Sequence, residues 1–370
     1  LSFFITSCEK DNDHDNHDHN HDNEVIAPDT YSFERGGVST VYFSGQTCRV
    51  QMAADIYSAL NDPSYTVSQI MTMFDDGDGF DFAYDCGKNV GGKTAASSSA
   101  SATVKAQFDD MVDHLVNDVY PYWTDNASSG SAGQITTSSG STYQVDAKGL
   151  EVDQAFIKGL IGALCLDQIT NNYLTPSKLD GGSNDATSLS AGEDTDMEHY
   201  WDEGYGYLYG YNNLHIGGSD DNNTGVAQGA GVLLNKYLKK VNSSSHIGIA
   251  DVIYDAFKLG RAAIVAGDYT LRDEQAVIIK ENLDKIIAQK AIDYLSGGAS
   301  TISSGASRED TFHGLSEGYG FVLALQFTNY FTNSEVNVML DELMAGNGFW
   351  DISANQLTNM SNQIATAAGL

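Results

Sequence analysis

His199-Tyr200-Trp201-Asp202-Glu203-Gly204-Tyr205-Gly206 and His313-Gly314-Leu315-Ser316-Glu317-Gly318-Tyr319-Gly320 are two copies of one pattern, His-x-x-x-Glu-Gly-Tyr-Gly, set 114 positions apart (199 to 313) in a chain of 370 residues. Five identities at fixed spacing, in a chain with nine histidines, mark an internal duplication. The sequence ahead of each copy also agrees. Gln154-Ala155-Phe156-Ile157-Lys158 leads to Tyr173-Leu174, and Gln275-Ala276-Val277-Ile278-Ile279-Lys280 leads to Tyr294-Leu295. Each copy reads as long helix, loop, motif helix. The fold class expected is all-α, an internally duplicated helical bundle with pseudo-repeats over about 92–225 and 226–370.

Outward from the motifs, apolar residues recur at helical spacing. Val104, Phe108, Met111, Leu115 and Val119 share one face until Pro121 stops it. Further helices are expected near Arg49–Leu60, Glu151–Leu174, His246–Ala266, Leu271–Leu295, 333–344 and 354–368, with Gly/Ser/Asn/Asp-rich loops at 126–142, 180–192 and 217–224. The β-branched and aromatic alternation of Thr30–Val50, broken by Gly36-Gly37, predicts a small N-terminal hairpin. Asp75-Asp76-Gly77-Asp78-Gly79-Phe80-Asp81 lacks the closing Glu of an EF-hand, so an acidic turn is expected and calcium is not. Cys48 and Cys86 flank that turn and can pair outside the cytoplasm, whereas Cys165 sits in an apolar stretch and reads as a buried thiol.

Composition narrows the function classes. Fifty acids against 19 bases give a net charge of −31, which excludes nucleic acid and anionic membrane surfaces as partners. Residues 1–7, Leu-Ser-Phe-Phe-Ile-Thr-Ser, then Cys8, resemble the end of a bacterial lipoprotein signal peptide, with Cys8 the lipidated residue. Residues 8–27 then form an acidic tether carrying His14, His17, His19 and His21, imidazoles among carboxylates that can catch Zn²⁺, Ni²⁺ or Cu²⁺ weakly.

The chemistry expected of the motif follows from helix geometry. His at i and Glu at i+4 lie on one face, ~5–6 Å apart at Cβ. If the two motif helices face each other, His199, Glu203, His313 and Glu317 converge into a nitrogen–oxygen set suited to Fe, Mn or Zn, with Tyr205, Tyr319 and Asp202 as hydrogen-bonding support. The competing reading makes each His–Glu pair a packing contact inherited by duplication. His114, His215 and His246 have no partner at ligand spacing. No nucleophile–base constellation, phosphate loop or dinucleotide fingerprint occurs, so a binding protein is expected rather than an enzyme.

Thr30–Met52, Gln154–Gln168 and His199–Gly206 together resemble the family called domain of unknown function 4856, over about residues 28–370. Its members are Bacteroidetes lipoproteins. In plan the chain is similar to imelysin-like proteins, which are helical, duplicated and associated with iron uptake. The resemblance implies a surface lipoprotein of the outer membrane that binds a metal ion, iron first, or an iron compound for outer-membrane transport components or other surface lipoproteins. The chain departs from the imelysin pattern Gly-x-His-x-x-Glu: Glu203 and Glu317 fall four residues after the His, Asp202 and Ser316 stand at the third, and Met197 and Thr311 replace the Gly. A structural or adhesive surface domain is the alternative function, and a metal-dependent enzyme ranks last.

Overall fold

The central element is a rod from residue 151 to 174. Every residue from Glu151 to Thr170 is buried, charged Glu151, Asp153, Lys158 and Asp167 included, so the rod must be enclosed by other helices. In the computed structural model, which describes residues 24–211 and 232–370, the rod begins as helix α4 (Val152–Leu160). It continues through two wider π-helical stretches, Ile161–Leu166 and Ile169–Tyr173. Gly162 marks the first: a Cβ there would lie 2.5 Å from the Ala324 side chain.

Around the rod stand α1 (Ser44–Leu60), α2 (Val67–Met71), α3 (Ser101–His114), α5 (Pro176–Leu179) and the first motif helix α6 (Asp196–Tyr209). The second half supplies α7 (Leu233–Asn242), α8 (Ile249–Ala266), α9 (Tyr269–Ser303), the second motif helix α10 (Glu309–Ala324), α11 (Asn333–Leu343) and α12 (Ala354–Ala368). The fold is an all-α bundle. Helix α10 packs on α4 and α9, while α6 packs on α1, on the Ile169–Tyr173 end of the rod and on α8.

Two antiparallel hairpins complete the described chain. The expected N-terminal one pairs β1 (Glu34–Arg35) with β2 (Val38–Ser39), and Gly36 and Gly37, at φ 64° and 79°, make the turn. The second corrects the reading of 126–142 as plain loop: β3 (Gly133–Thr136) pairs with β4 (Thr142–Val145). The cause is legible afterwards, since Ile135, Thr136, Thr142, Tyr143 and Val145 are strand formers astride Gly140. Helix α7 was not anticipated either. Helix α9 runs to Ser303, beyond the expected Leu295, and α1 starts at Ser44 rather than Arg49.

Cys48 and Cys86 form a disulfide tying α1 to the segment that follows the acidic turn, and Cys165 is a buried free thiol. Asp75 in that turn pairs with Lys105 at 2.9 Å. Cys8, His14, His17, His19, His21 and His215 lie outside the described residues, as does 217–224.

Candidate functional site

Helix α6 starts at a capping box in which Thr195 and Glu198 satisfy each other's backbone N–H. One turn in, His199 Nδ1 meets Asp194 at 3.0 Å, and its Nε2 lies 3.9 Å from Glu203 with the side chain 41% exposed. Glu203 accepts hydrogen bonds from Gln46 Nε2 at 2.8 Å and from the Tyr173 hydroxyl. Asp202 points the other way, into the core. It is fully buried against Arg261 Nε at 3.1 Å, with the Tyr31 hydroxyl also donating to it, and burial pushes its pKa up to about 6 although Arg261 pulls it down. Glu198 joins the same network, 3.0 Å from Arg261 and 3.1 Å from Arg35.

Helix α10 repeats the plan with different partners. His313 Nδ1 meets Glu151 at 3.0 Å, and its ring stacks on Tyr143 at 4.6 Å and 14°. Burial raises Glu151 to about 7, with the imidazole pulling it back down, and the hydrogen bond to Glu151 in turn raises His313. Glu317 receives Lys158 Nζ at 3.2 Å, the Tyr237 hydroxyl at 2.9 Å and the Tyr294 hydroxyl. Burial alone would raise its pKa; Lys158 and the two hydroxyls hold it down at about 2. Ser316, in the place of Asp202, accepts from the Glu151 N–H at 2.9 Å.

The motif glycines are where neighbouring helices touch. A Cβ on Gly206 would stand 2.4 Å from Phe43 Cβ, and one on Gly320 would stand 2.5 Å from Lys158 Cβ and 2.9 Å from the Ala155 carbonyl. So α1 is to α6 what α4 is to α10. Gly204 faces Tyr173 and Gly318 faces Tyr294, the two tyrosines that hydrogen-bond the motif glutamates. The rod therefore serves both motifs, Lys158 beside one and Tyr173 beside the other.

The four expected ligands do not come together. Each His–Glu pair has its own surroundings, and among the described residues no group of three or more His, Cys, Asp or Glu is placed to hold a metal ion. The reason is topological: the motif helices pack on opposite ends of the rod instead of on each other. The supporting roles also move. Tyr205 stacks on Tyr31 at 3.7 Å, and Tyr319 lines a shallow pocket with Met111 and His114, while Tyr173, Tyr294 and Tyr237 serve the carboxylates. The Tyr-Leu dipeptides were visible as part of the repeat; Tyr237 had no sequence signal. His114, expected to lack a partner, is held between Asp118, four residues on, at 2.9 Å and Asp146 at 3.1 Å, and His246 meets Gln289.

Residues 28–370 match the family model described as Domain of unknown function (DUF4856). No curated protein and no solved structure matches the chain.

Proposed function

The chain belongs to the domain of unknown function 4856 family, and we propose that it is a surface lipoprotein of the outer membrane that takes up an iron compound for partner transport components. Each repeat offers one imidazole to the metal. The observation that carries this reading is the matched state of His199 and His313: Nδ1 is engaged by a carboxylate from outside the motif, Asp194 or Glu151, and the side chain stays 41% or 37% exposed. An imidazole fixed through Nδ1 keeps Nε2 as its metal-binding nitrogen, which in the first repeat lies 3.9 Å from Glu203. One such donor per repeat suits iron that arrives with its own chelating ligands. Capture of a bare ion by four protein ligands has no support in the spread arrangement.

The Cys48–Cys86 disulfide supports an extracytoplasmic setting. Lipidation at Cys8 and loose metal collection by His14, His17, His19 and His21 complete the reading. The test uses the chain with those four tether histidines changed to Asn, loaded with ferric citrate and desalted. Stoichiometric iron should remain, falling by half in His199→Ala or His313→Ala. Iron equally sub-stoichiometric in all three proteins overturns the reading.

A second reading, a structural or adhesive surface domain with the motif as packing, is favoured by the burial of Glu317 and the helix contact at Gly320. It predicts that alanine at both histidines lowers stability equally with and without a chelator.

A further inference from the structure

Cations and tyrosines gather near each motif glutamate. Around Glu317, Lys158 lies 5.6 Å from the Tyr57 ring centre and 6.0 Å from that of Tyr237, Lys240 lies 4.7 Å from Tyr237, and Lys290 lies 4.7 Å from Tyr294. Lys236 is close enough to repel both Lys158 and Lys240. Around Glu203, Lys93 and Lys178 each lie 5.9 Å from the Tyr173 ring, and Lys178 is 3.8 Å from that of Tyr200. Arg49 and Lys88 flank Gly45, the neighbour of Gln46, and both repel Lys93.

These four and four are eight of the chain's 19 Lys and Arg, gathered at two places in a molecule of net charge −31. Six of them, Arg49, Lys88, Lys93, Lys178, Lys236 and Lys240, make no ion pair within 4 Å with any described residue, and of these Lys93 feels Glu203 and Lys240 feels Glu317 only at longer range, although acids outnumber bases 50 to 19. A lysine stem lying on one tyrosine is ordinary surface packing. Like charges crowded at the same position of both repeats, while carboxylates elsewhere lack cations, call for an external counter-charge.

We propose that both motif sites receive a small polyanion, a polycarboxylate, whose negative groups meet Lys236 and Lys240 at the second site and Lys93, Lys178 and Lys88 at the first. The inference rests on the iron-compound reading in one respect: Fe(III) is what such a polycarboxylate would carry to the outward edge of His199 or His313. The gathered cations also make anion capture possible against the repulsion of the whole acidic molecule, because at physiological salt that repulsion is screened beyond ~8 Å while the cations act at contact.

The test is titration calorimetry of the full chain with citrate and, separately, with ferric citrate. Lys236 and Lys240 are exposed and Lys178 is half-buried, so Lys236→Glu/Lys240→Glu and Lys178→Glu should keep the wild-type circular dichroism and melting temperature. Saturable citrate binding that weakens about tenfold or more in each variant, and weakens with added salt, is the expected result. Absence of saturable citrate binding, or affinities unchanged in folded variants, overturns the inference. Citrate binding unimproved by iron sustains it and overturns the iron reading; ferric citrate binding indifferent to the lysines does the reverse.

Discussion

Glu317 is held ionised by Lys158 and by the Tyr237 and Tyr294 hydroxyls, and that gives its stability contribution a pH signature. A carboxylate depressed from 4.5 to about 2 stabilises the fold fully above pH 4.5 and loses that contribution as pH falls toward 2. Lys158→Met should cost about 3–5 kcal/mol at pH 7, because it leaves Glu317 buried without its cation. The deficit shrinks on acidification, as urea denaturation at pH 7 and pH 3 would record; a deficit independent of pH contradicts the assignment. His114 behaves in the opposite sense. Its hydrogen bond to Asp146 raises it to about 9, so the stabilisation is complete below 6.5 and vanishes as pH rises through 9. With the side chain 41% exposed, His114→Asn should cost under ~1 kcal/mol at pH 6 and nothing at pH 10, read from melting curves at the two values. At this scale His199 and His313 were legible because the motif repeats. Their partners were not: Asp194 sits in the turn before the cap, and Glu151 is 162 residues from His313, a contact only the fold creates.

At the scale of elements, helix crossings are set by where a side chain is missing. Gly320→Ala puts a methyl 2.5 Å from Lys158 Cβ and 2.9 Å from a carbonyl, so α10 must move off α4, at a cost of about 1–3 kcal/mol. Gly297, in the last two turns of α9, meets nothing within 4 Å and is exposed; Gly297→Ala should instead stabilise by ~0.5–1 kcal/mol through helix propensity. Chemical denaturation of the two variants separates packing from propensity, and a destabilising Gly297→Ala would refute that account of α9. Elements with strong 3.6-residue patterning were readable in advance: α3, α8, α11 and α12 fall where periodicity placed them. The β3–β4 hairpin was hidden because Thr and Ser dominate a stretch whose composition also suits a loop. The facing of the motif helices was hidden for another reason. Duplication fixes what each repeat contains, but the buried rod between them decides that they meet its two ends and not each other.

For the whole molecule, the disulfide closes a 38-residue separation and should contribute ~4 kcal/mol by restricting the unfolded chain. Reduction at fixed pH should therefore lower the melting temperature, and an unchanged value would show that α1 is held without it. The large negative charge sets the background against which two cationic groups stand out, each near the glutamate of a motif whose histidine is oriented by its own carboxylate. X-ray absorption at the iron edge of ferric-citrate-loaded protein, with the four tether histidines changed to Asn, tests that pairing most directly. An imidazole-nitrogen shell present in this protein and lost when His199 and His313 are also changed to Ala is the predicted result. An all-oxygen iron environment that the two substitutions leave untouched would contradict it.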